Sequence, residues 1–121
     1  MFQVEADKSK NRLTIHYSQH VGTEEVKRCG ERVTALLAEL QPGFHLLTDL
    51  SGLEAMDFDC ARHIKQMMDL CDQKGVSEVV RVIPNPHKDI GFNILSIFHY
   101  HRGIRIVTCE KLEDALKILA T

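Results

Sequence analysis

The chain has 121 residues, a mass of 13.8 kDa and a formal net charge of -2, and this length is that of one domain with its own core. Its pI near 6.4 lacks the basic excess of a general nucleic-acid-binding protein, and no apolar run approaches the ~20 residues of a membrane span. The N-terminal residues also lack the apolar core of a signal peptide. We therefore expect one cytoplasmic domain, residues 1–121, without a nucleic-acid partner or a membrane span.

The cysteines argue against a structural metal site. Cys29, Cys60, Cys71 and Cys109 form no CxxC pair, so a zinc site is not predicted. Cys29 and Cys71 fall on the apolar stripes of predicted helices, where free cysteine behaves as a small hydrophobic residue. We expect four reduced thiols, with disulfides as the less favoured alternative.

The first 43 residues predict a β-hairpin followed by a helix. Apolar and polar residues alternate over 2–6 and again over 13–17, on either side of a polar turn at 7–11. Thr23 is the expected N-cap of a helix over 23–40, which Pro42-Gly43 ends. One apolar stripe runs along this helix: Val26, Cys29, Val33, Leu36, Leu37 and Leu40.

The next stretch, His45 to Cys60, predicts a buried strand that leads into a polar loop and a helix. It reads HLLTDLSGLEAMDFDC, and the strand is expected over 45–50, ending in an Asp-Leu-Ser-Gly turn. A second acidic turn, Asp57–Asp59, opens a helix that ends near Gly75, its natural C′ residue. The side chains expected to be buried are Ala61, Ile64, Met67, Met68 and Cys71.

The remaining residues predict two more strand–helix units. A β-branched run over 79–83 is typical of a parallel strand covered on both faces, and a helix is expected over about Pro86–Phe98. A short strand, Ile104–Val107, and a last helix, about Glu110–Ala120, complete the chain. That last helix is expected to bury Leu112, Ala115, Leu116 and Leu119. The order β-β-α-β-α-β-α-β-α predicts an α/β fold with a mixed sheet and helices packed on it.

This order resembles the STAS domain of anti-sigma-factor antagonists, and more closely the SpoIIAA-like bacterial proteins. The resemblance rests on the segments 45–52, 57–59 and 106–116. It implies a partner-binding surface at Asp57, Phe58 and Asp59. In antagonist members a Ser or Thr before the second helix is phosphorylated, whereas residues 57–60 here contain no hydroxyl. Asp59 is then either a simple N-cap, which we favour, or a permanent negative charge; Ser51 is expected to form a turn.

The predicted helix Pro86–Phe98 has a wider apolar face than packing on a sheet requires. On a helical wheel its apolar residues sweep roughly 220°, and about half of that would suffice. We expect the surplus to be covered by residues 52–58 or the chain end, by another helix, by a second subunit, or by a lipid or a bilayer surface. We predict a partner or homodimer contact through three residues of this helix: Phe92, Leu95 and Phe98.

Arg81 and Arg105 each interrupt an otherwise aliphatic strand. A buried arginine needs a partner, so the two side chains either bind an anion together or, as we favour, form salt bridges to a covering helix. His99 and His101 lack a fixed third ligand, and no metal site is predicted.

No catalytic motif is present in the sequence. It contains no Gly-rich phosphate loop, no Gly-x-Ser-x-Gly elbow and no His-Glu-x-x-His. Cys60 lies at a helix start, but Asp57 and Asp59 oppose its ionisation. We therefore expect a non-enzymatic STAS-like interaction module without a cofactor. The alternative is a small-ligand or lipid carrier of CRAL-TRIO-like character, with a ligand in the cleft beside the helix Pro86–Phe98.

Overall fold

The computed structural model describes residues 1–84, 100 and 104–120. These residues form five strands and three helices in one α/β domain. In chain order they are β1 Phe2–Asp7, β2 Arg12–Val21, α1 Thr23–Leu37, β3 His45–Met56, α2 Cys60–Lys74, β4 Glu78–Val82, β5 Arg105–Cys109 and α3 Leu112–Ala120.

The strands form a single mixed sheet in the order β1-β2-β3-β4-β5. β1 and β2 pair antiparallel as a hairpin, with Val4 opposite Ile15. All later neighbours are parallel. Helix α1 connects β2 to β3 and helix α2 connects β3 to β4, and such crossovers bring successive strands into parallel pairs. The predicted fold class and the lead-in hairpin are confirmed.

Helices α1 and α2 cover one face of the sheet. Successive strand residues point to opposite faces, so Leu46 belongs to the core under these helices and Leu47 to a separate cluster under α3. The core under α1 and α2 is the larger one. Its most deeply buried members are Leu13, Val21, Val26, Cys29, Val33, Phe44 and Cys60.

Helix α3 covers only part of the opposite face. Its buried residues Ala115 and Leu119 pack with a small cluster on β3, β4 and β5: Leu47, Val80, Val82 and Cys109. Leu112 and Leu116 were expected to be buried, and that prediction is wrong, since they are 37% and 42% exposed. The β1–β2 half of this face carries polar side chains, so the two leucines find no apolar surface there. We call this half, which none of the helices α1 to α3 covers, the open face.

Strand β3 is longer than its apolar run predicts. The turn expected at Ser51 and Gly52 is part of the strand, which continues to Met56. Pairing with β2 resumes after an irregularity between His16 and Ser18, with Ser18 opposite Gly52. Backbone pairing, which the side-chain pattern does not report, therefore extends the strand.

The helix ends follow local backbone geometry. Helix α1 ends at Leu37 rather than 40, and its N-cap is Gly22 rather than Thr23. Gly75 ends α2 with a left-handed φ of 100°, as predicted. The predicted helix over 86–98 lies outside the described residues.

Candidate partner-binding site

The start of α2 carries the most exposed large apolar side chain among the described residues. Asp57, Phe58 and Asp59, which we call the Phe58 turn, connect β3 to α2. Phe58 is 93% exposed. An aromatic residue so fully in water contributes little to the core, and aromatic residues are the side chains that most often dominate binding energy at interfaces.

Backbone hydrogen bonds hold the Phe58 turn in place. The Asp57 N–H donates to the Val21 carbonyl at 3.1 Å, which ties the turn to the end of β2. The N–H groups of Cys60 and Ala61 donate to the carbonyls of Asp57 and Phe58 at 3.0 and 3.2 Å. The exposed ring therefore extends from an ordered backbone, which lowers the entropy cost of binding.

The two carboxylates of the turn lie in different environments. Asp57 Oδ1 is 2.7 Å from His20 Nε2 across the β2–β3 pair. Asp59 occupies the N-cap position of α2, but its φ is -67° and its side chain makes no capping hydrogen bond. The predicted N-cap position of Asp59 is confirmed, but its backbone is helical instead of extended, and its side chain does not make the hydrogen bond that usually stabilises such a cap. Its charge still lies at the positive end of a helix.

Cys60 is not set up as a nucleophile. The thiol is buried and lies 3.7 Å from the Val21 carbonyl. Burial raises the pKa of the Cys60 thiol, and Asp57 and Asp59 raise it further against an opposing hydrogen bond with Thr23. The sequence-based expectation that the two aspartates oppose its ionisation is confirmed. All four cysteines are buried and free.

Arg81 and Arg105 do not converge on a common anion site. Their strands are neighbours, but Arg81 pairs in register with Thr108 and Arg105 with Glu78. Thr108 is three residues from Arg105, so the two arginines point to opposite faces. Arg81 is buried under α2, whereas exposed Arg105 forms a salt bridge to Glu78 at 3.3 Å. For Arg105, the predicted salt bridge exists, but its partner lies on a strand and not on a covering helix.

Five residues of the sequence predictions belong to the undescribed part of the chain. Phe92, Leu95 and Phe98 lie outside the described residues, as do His99 and His101. Within residues 1–84, 100 and 104–120, no group of three His, Cys, Asp or Glu side chains is arranged to hold a metal ion. The absence of a metal role therefore stays a prediction.

A hydrogen-bonded histidine–aspartate pair on the sheet was not predicted. His16 on β2 lies opposite Asp49 on β3, and His16 Nδ1 is 3.0 Å from Asp49 Oδ2. The Ser51 N–H donates to Asp49 Oδ1 at 3.0 Å, so both oxygens of this 7% exposed carboxylate have partners. Polar residues on the non-core side of β2 were visible in the sequence, but their partners depend on the β2–β3 register.

Cavities lie on both faces of the sheet. Under α2 lies an apolar cavity of about 40 Å³, whose lining includes Tyr17, Arg81 and Tyr100. On the open face a groove of about 510 Å³ runs between the β1–β2 hairpin and the exposed leucines of α3. No helix in the described part of the chain is long and apolar enough to cross a membrane.

The sheet order and the helices on its two faces define a SpoIIAA-like fold, as predicted. No protein-family model matches the sequence, and no curated protein matches it significantly.

Solved structures resemble this chain over nearly its whole length. One is an uncharacterized protein of the DUF3478 family with a SpoIIAA-like fold from Shewanella loihica PV-4, with a TM-score of 0.74, 16% identity, and coverage of 98% of this chain and 93% of that one. The phosphorylated form of SpoIIAA, a cell-fate determinant of Bacillus, has a TM-score of 0.69 and 12% identity, with coverage of 98% of this chain and 99% of that one. An anti-sigma factor antagonist from Mycobacterium paratuberculosis has a TM-score of 0.62 and 14% identity, with coverage of 100% of this chain and 96% of that one. At these identities the likeness establishes the fold alone.

Proposed function

We propose that this chain is a non-enzymatic regulatory module of the STAS type that binds a protein partner through the Phe58 turn. The observation that carries the proposal is the 93% exposure of Phe58 on a backbone held by three hydrogen bonds. Two of the solved structures with this fold are described as SpoIIAA and as an anti-sigma factor antagonist, which supports a regulatory role. We expect the module to act in the cytoplasm.

The proposed binding does not depend on phosphorylation of the turn. Residues 57–60 read Asp-Phe-Asp-Cys and offer no hydroxyl. The exposed carboxylate of Asp59, which makes no capping bond, supplies a constant negative charge in its place. Stoichiometric phosphate on any residue from Asp57 to Ala61, found by mass spectrometry of protein from its own host, would contradict this.

Site-specific photo-crosslinking tests the proposal. A photo-reactive phenylalanine analogue at position 58 should give one discrete adduct in cells of the host, and mass spectrometry then identifies the partner. With that partner purified, Phe58→Ala should weaken binding at least tenfold, since aromatic anchors carry more than about 1.4 kcal/mol at interfaces.

Asp69→Ala is a matched control, because Asp69 is an exposed residue farther along the same helix. It should leave binding to the purified partner unchanged. Equal affinity of Phe58→Ala and the unchanged chain would refute the Phe58 turn as the binding surface.

A small-ligand carrier is the second candidate function. The observation in its favour is the apolar cavity under α2, which has the buried Arg81 in its lining. A volume of about 40 Å³ is near that of a single water molecule, so a lipid would require the cavity to open. Native mass spectrometry of protein from its own host, showing a stoichiometric lipid or carboxylate, would favour this candidate over the interaction module.

Self-association through Phe92, Leu95 and Phe98 also stays a proposal. Phe92→Asp should reduce a homodimer to a folded monomer if the ring lies at an interface. Loss of the folded protein would instead place the ring in the domain's own core. Sedimentation together with a thermal melt separates the two outcomes.

A further inference from the structure

The groove on the open face, which we call the open groove, and the Phe58 turn lie toward opposite ends of the β2–β3 pair. We propose that the Phe58 turn of one copy docks into the open groove of a second copy, so that the chain associates head to tail. This inference rests on the proposed function, because it uses the same turn and names one occupant of it, a second copy of this chain.

The groove offers an aromatic ring an apolar surface. Leu112 and Leu116 of α3 form one wall, and both are more than one-third exposed. Leu47 also lines the groove but is only 2% exposed, so the two α3 leucines supply most of its apolar surface. At about 510 Å³ the groove is large enough to admit a phenylalanine side chain. Burying the two leucines and Phe58 together removes three exposed apolar side chains from water.

The Phe58 turn is acidic, and the groove contains cations that can pair with it. Phe58 is flanked by Asp57 and Asp59, and exposed Glu54 precedes them on β3. The groove is lined by three cations, Lys8, Lys10 and Arg12, and by two carboxylates, Glu5 and Asp7.

One of the two groove carboxylates is already engaged. Asp7 Oδ1 accepts hydrogen bonds from Ser9 Oγ and from the Lys10 N–H. These bonds lower the pKa of Asp7 and tie its charge to the hairpin turn. One of the three cations is engaged as well, since Lys8 Nζ lies 3.4 Å from Glu39 Oε1, outside the groove lining. Lys10 and Arg12 are therefore the groove cations that can face the carboxylates of the docking surface, an arrangement that favours encounter and orientation more than affinity.

The two surfaces cannot meet within one copy. β2 pairs with β3 from Arg12 opposite His45 to Val21 opposite Met56. The groove includes Arg12 at one end of this pair, and the Phe58 turn follows Met56 at the other end. A strand of 12 residues spans roughly 40 Å. Contact must therefore be between copies, and a contact between two different surfaces builds rings or open chains instead of closed two-fold dimers.

Complementation between two variants tests this arrangement. Phe58→Ala removes the docking side chain and keeps the groove, whereas Leu116→Asp blocks the groove and keeps the turn. In sedimentation velocity on the full chain, the unchanged protein should grow past a dimer as its concentration rises. Each variant alone should associate at least tenfold more weakly. An equal mixture should form heterodimers that grow no further, because only one complementary pair of surfaces remains.

Charge reversal provides a second test that does not depend on Leu116→Asp folding well. Lys10→Glu should weaken association, and mixing it with Asp59→Lys should restore part of it. Lys117→Glu is the matched control, since it makes the same charge change on an exposed residue of α3 that does not line the groove. A single sedimenting species at all concentrations, or growth of Phe58→Ala equal to that of the unchanged chain, would overturn the proposal.

The outcomes also separate this inference from the proposed function. If residue 58 crosslinks a different protein while the chain shows no head-to-tail growth, only the present inference fails. If the variants complement each other and crosslinking at residue 58 yields only a second copy of the chain, the head-to-tail contact stands and the separate partner does not exist.

Discussion

The two sides of β2 carry different kinds of side chain. Leu13, Ile15 and Tyr17 point under α1 and α2 and are at most 5% exposed. Their neighbours Arg12, Thr14 and His16 point to the open face and are only partly covered. The same ten-residue strand thus contributes core on one side and a polar surface on the other. The core under α1 and α2 is the larger of the two apolar clusters, so we expect it to supply most of the stability, and both proposed binding surfaces lie outside it.

Truncating one phenylalanine on each kind of surface should give the largest contrast. Phe44 lies in the core under α1 and α2 and is 0% exposed, whereas Phe58 is 93% exposed. Phe44→Ala should lower the free energy of unfolding by about 3–5 kcal/mol, because it leaves a cavity. Phe58→Ala should change it by less than about 0.5 kcal/mol. Urea unfolding at neutral pH measures both, and similar losses would break the division between core and binding surface.

The residue pattern predicts the core-facing side of β2 and α1 well, because burial follows periodicity. Alternation along β2 and the stripe of α1 identified the side chains that pack together. The pattern failed where an outcome depends on a neighbouring element. Leu112 and Leu116 have helical spacing typical of core, but the strands beside them carry polar side chains.

The candidate site was predicted from a resemblance and not from geometry. Residues 57–59 were identified through the segment that precedes the second helix, and the sequence alone does not reveal the exposure of Phe58. The His16–Asp49 pair and the separation of Arg81 from Arg105 both depend on strand register. A one-residue shift in register moves every side chain to the other face, so sequence spacing within one strand cannot determine such pairs.

The His16–Asp49 pair should stabilise the open face. Asp49→Ala would remove the acceptor of both His16 Nδ1 and the Ser51 N–H. Leaving partly buried donors without partners costs about 1–3 kcal/mol of unfolding free energy. Asp59→Ala is the control, since this exposed carboxylate makes no capping bond, and it should cost less than about 1 kcal/mol. Equal effects in urea unfolding would mean that Asp49 contributes no more than a surface charge.

Alkaline pH should lower the free energy of unfolding, because a buried thiol under α1 and α2 ionises more readily in the unfolded chain than in the folded one. Burial raises the pKa of Cys71 to about 12 from 9.0, with a smaller contribution from Asp72. The unfolded chain therefore ionises this thiol above about pH 9 while the folded chain holds its proton, so stability is full below pH 9 and falls as pH rises toward 12. Cys71 alone should account for about 1.4 kcal/mol lost between pH 8 and pH 10.

Cys71→Ala isolates this contribution. The variant is expected to be less stable at both pH values, because it loses buried sulfur, but its loss between pH 8 and pH 10 should be smaller by the amount that Cys71 contributes. Guanidinium unfolding at the two pH values measures the difference. Parallel losses in the variant and the unchanged chain would show that Cys71 is not protected from ionisation.

The smallest expected change in stability comes from removing the hydroxyl of Tyr17, which lies on the core side of β2. The only hydrogen-bond partners of this hydroxyl among the described residues are the sulfurs of Cys29 at 3.5 Å and Met67 at 3.9 Å, which are weak acceptors. Burial removes the hydroxyl from water and raises the pKa of Tyr17 well above its ordinary value. The weak contacts to sulfur replace only part of the hydrogen bonding that water would provide. Tyr17→Phe should therefore raise the unfolding free energy by between zero and about 1 kcal/mol. Tyr17→Ala should lower it by about 3–5 kcal/mol, because it removes the ring from the core. A loss of more than about 1 kcal/mol in Tyr17→Phe would mean that the hydroxyl has a strong partner and that the helix-covered face depends on a polar contact as well as on burial.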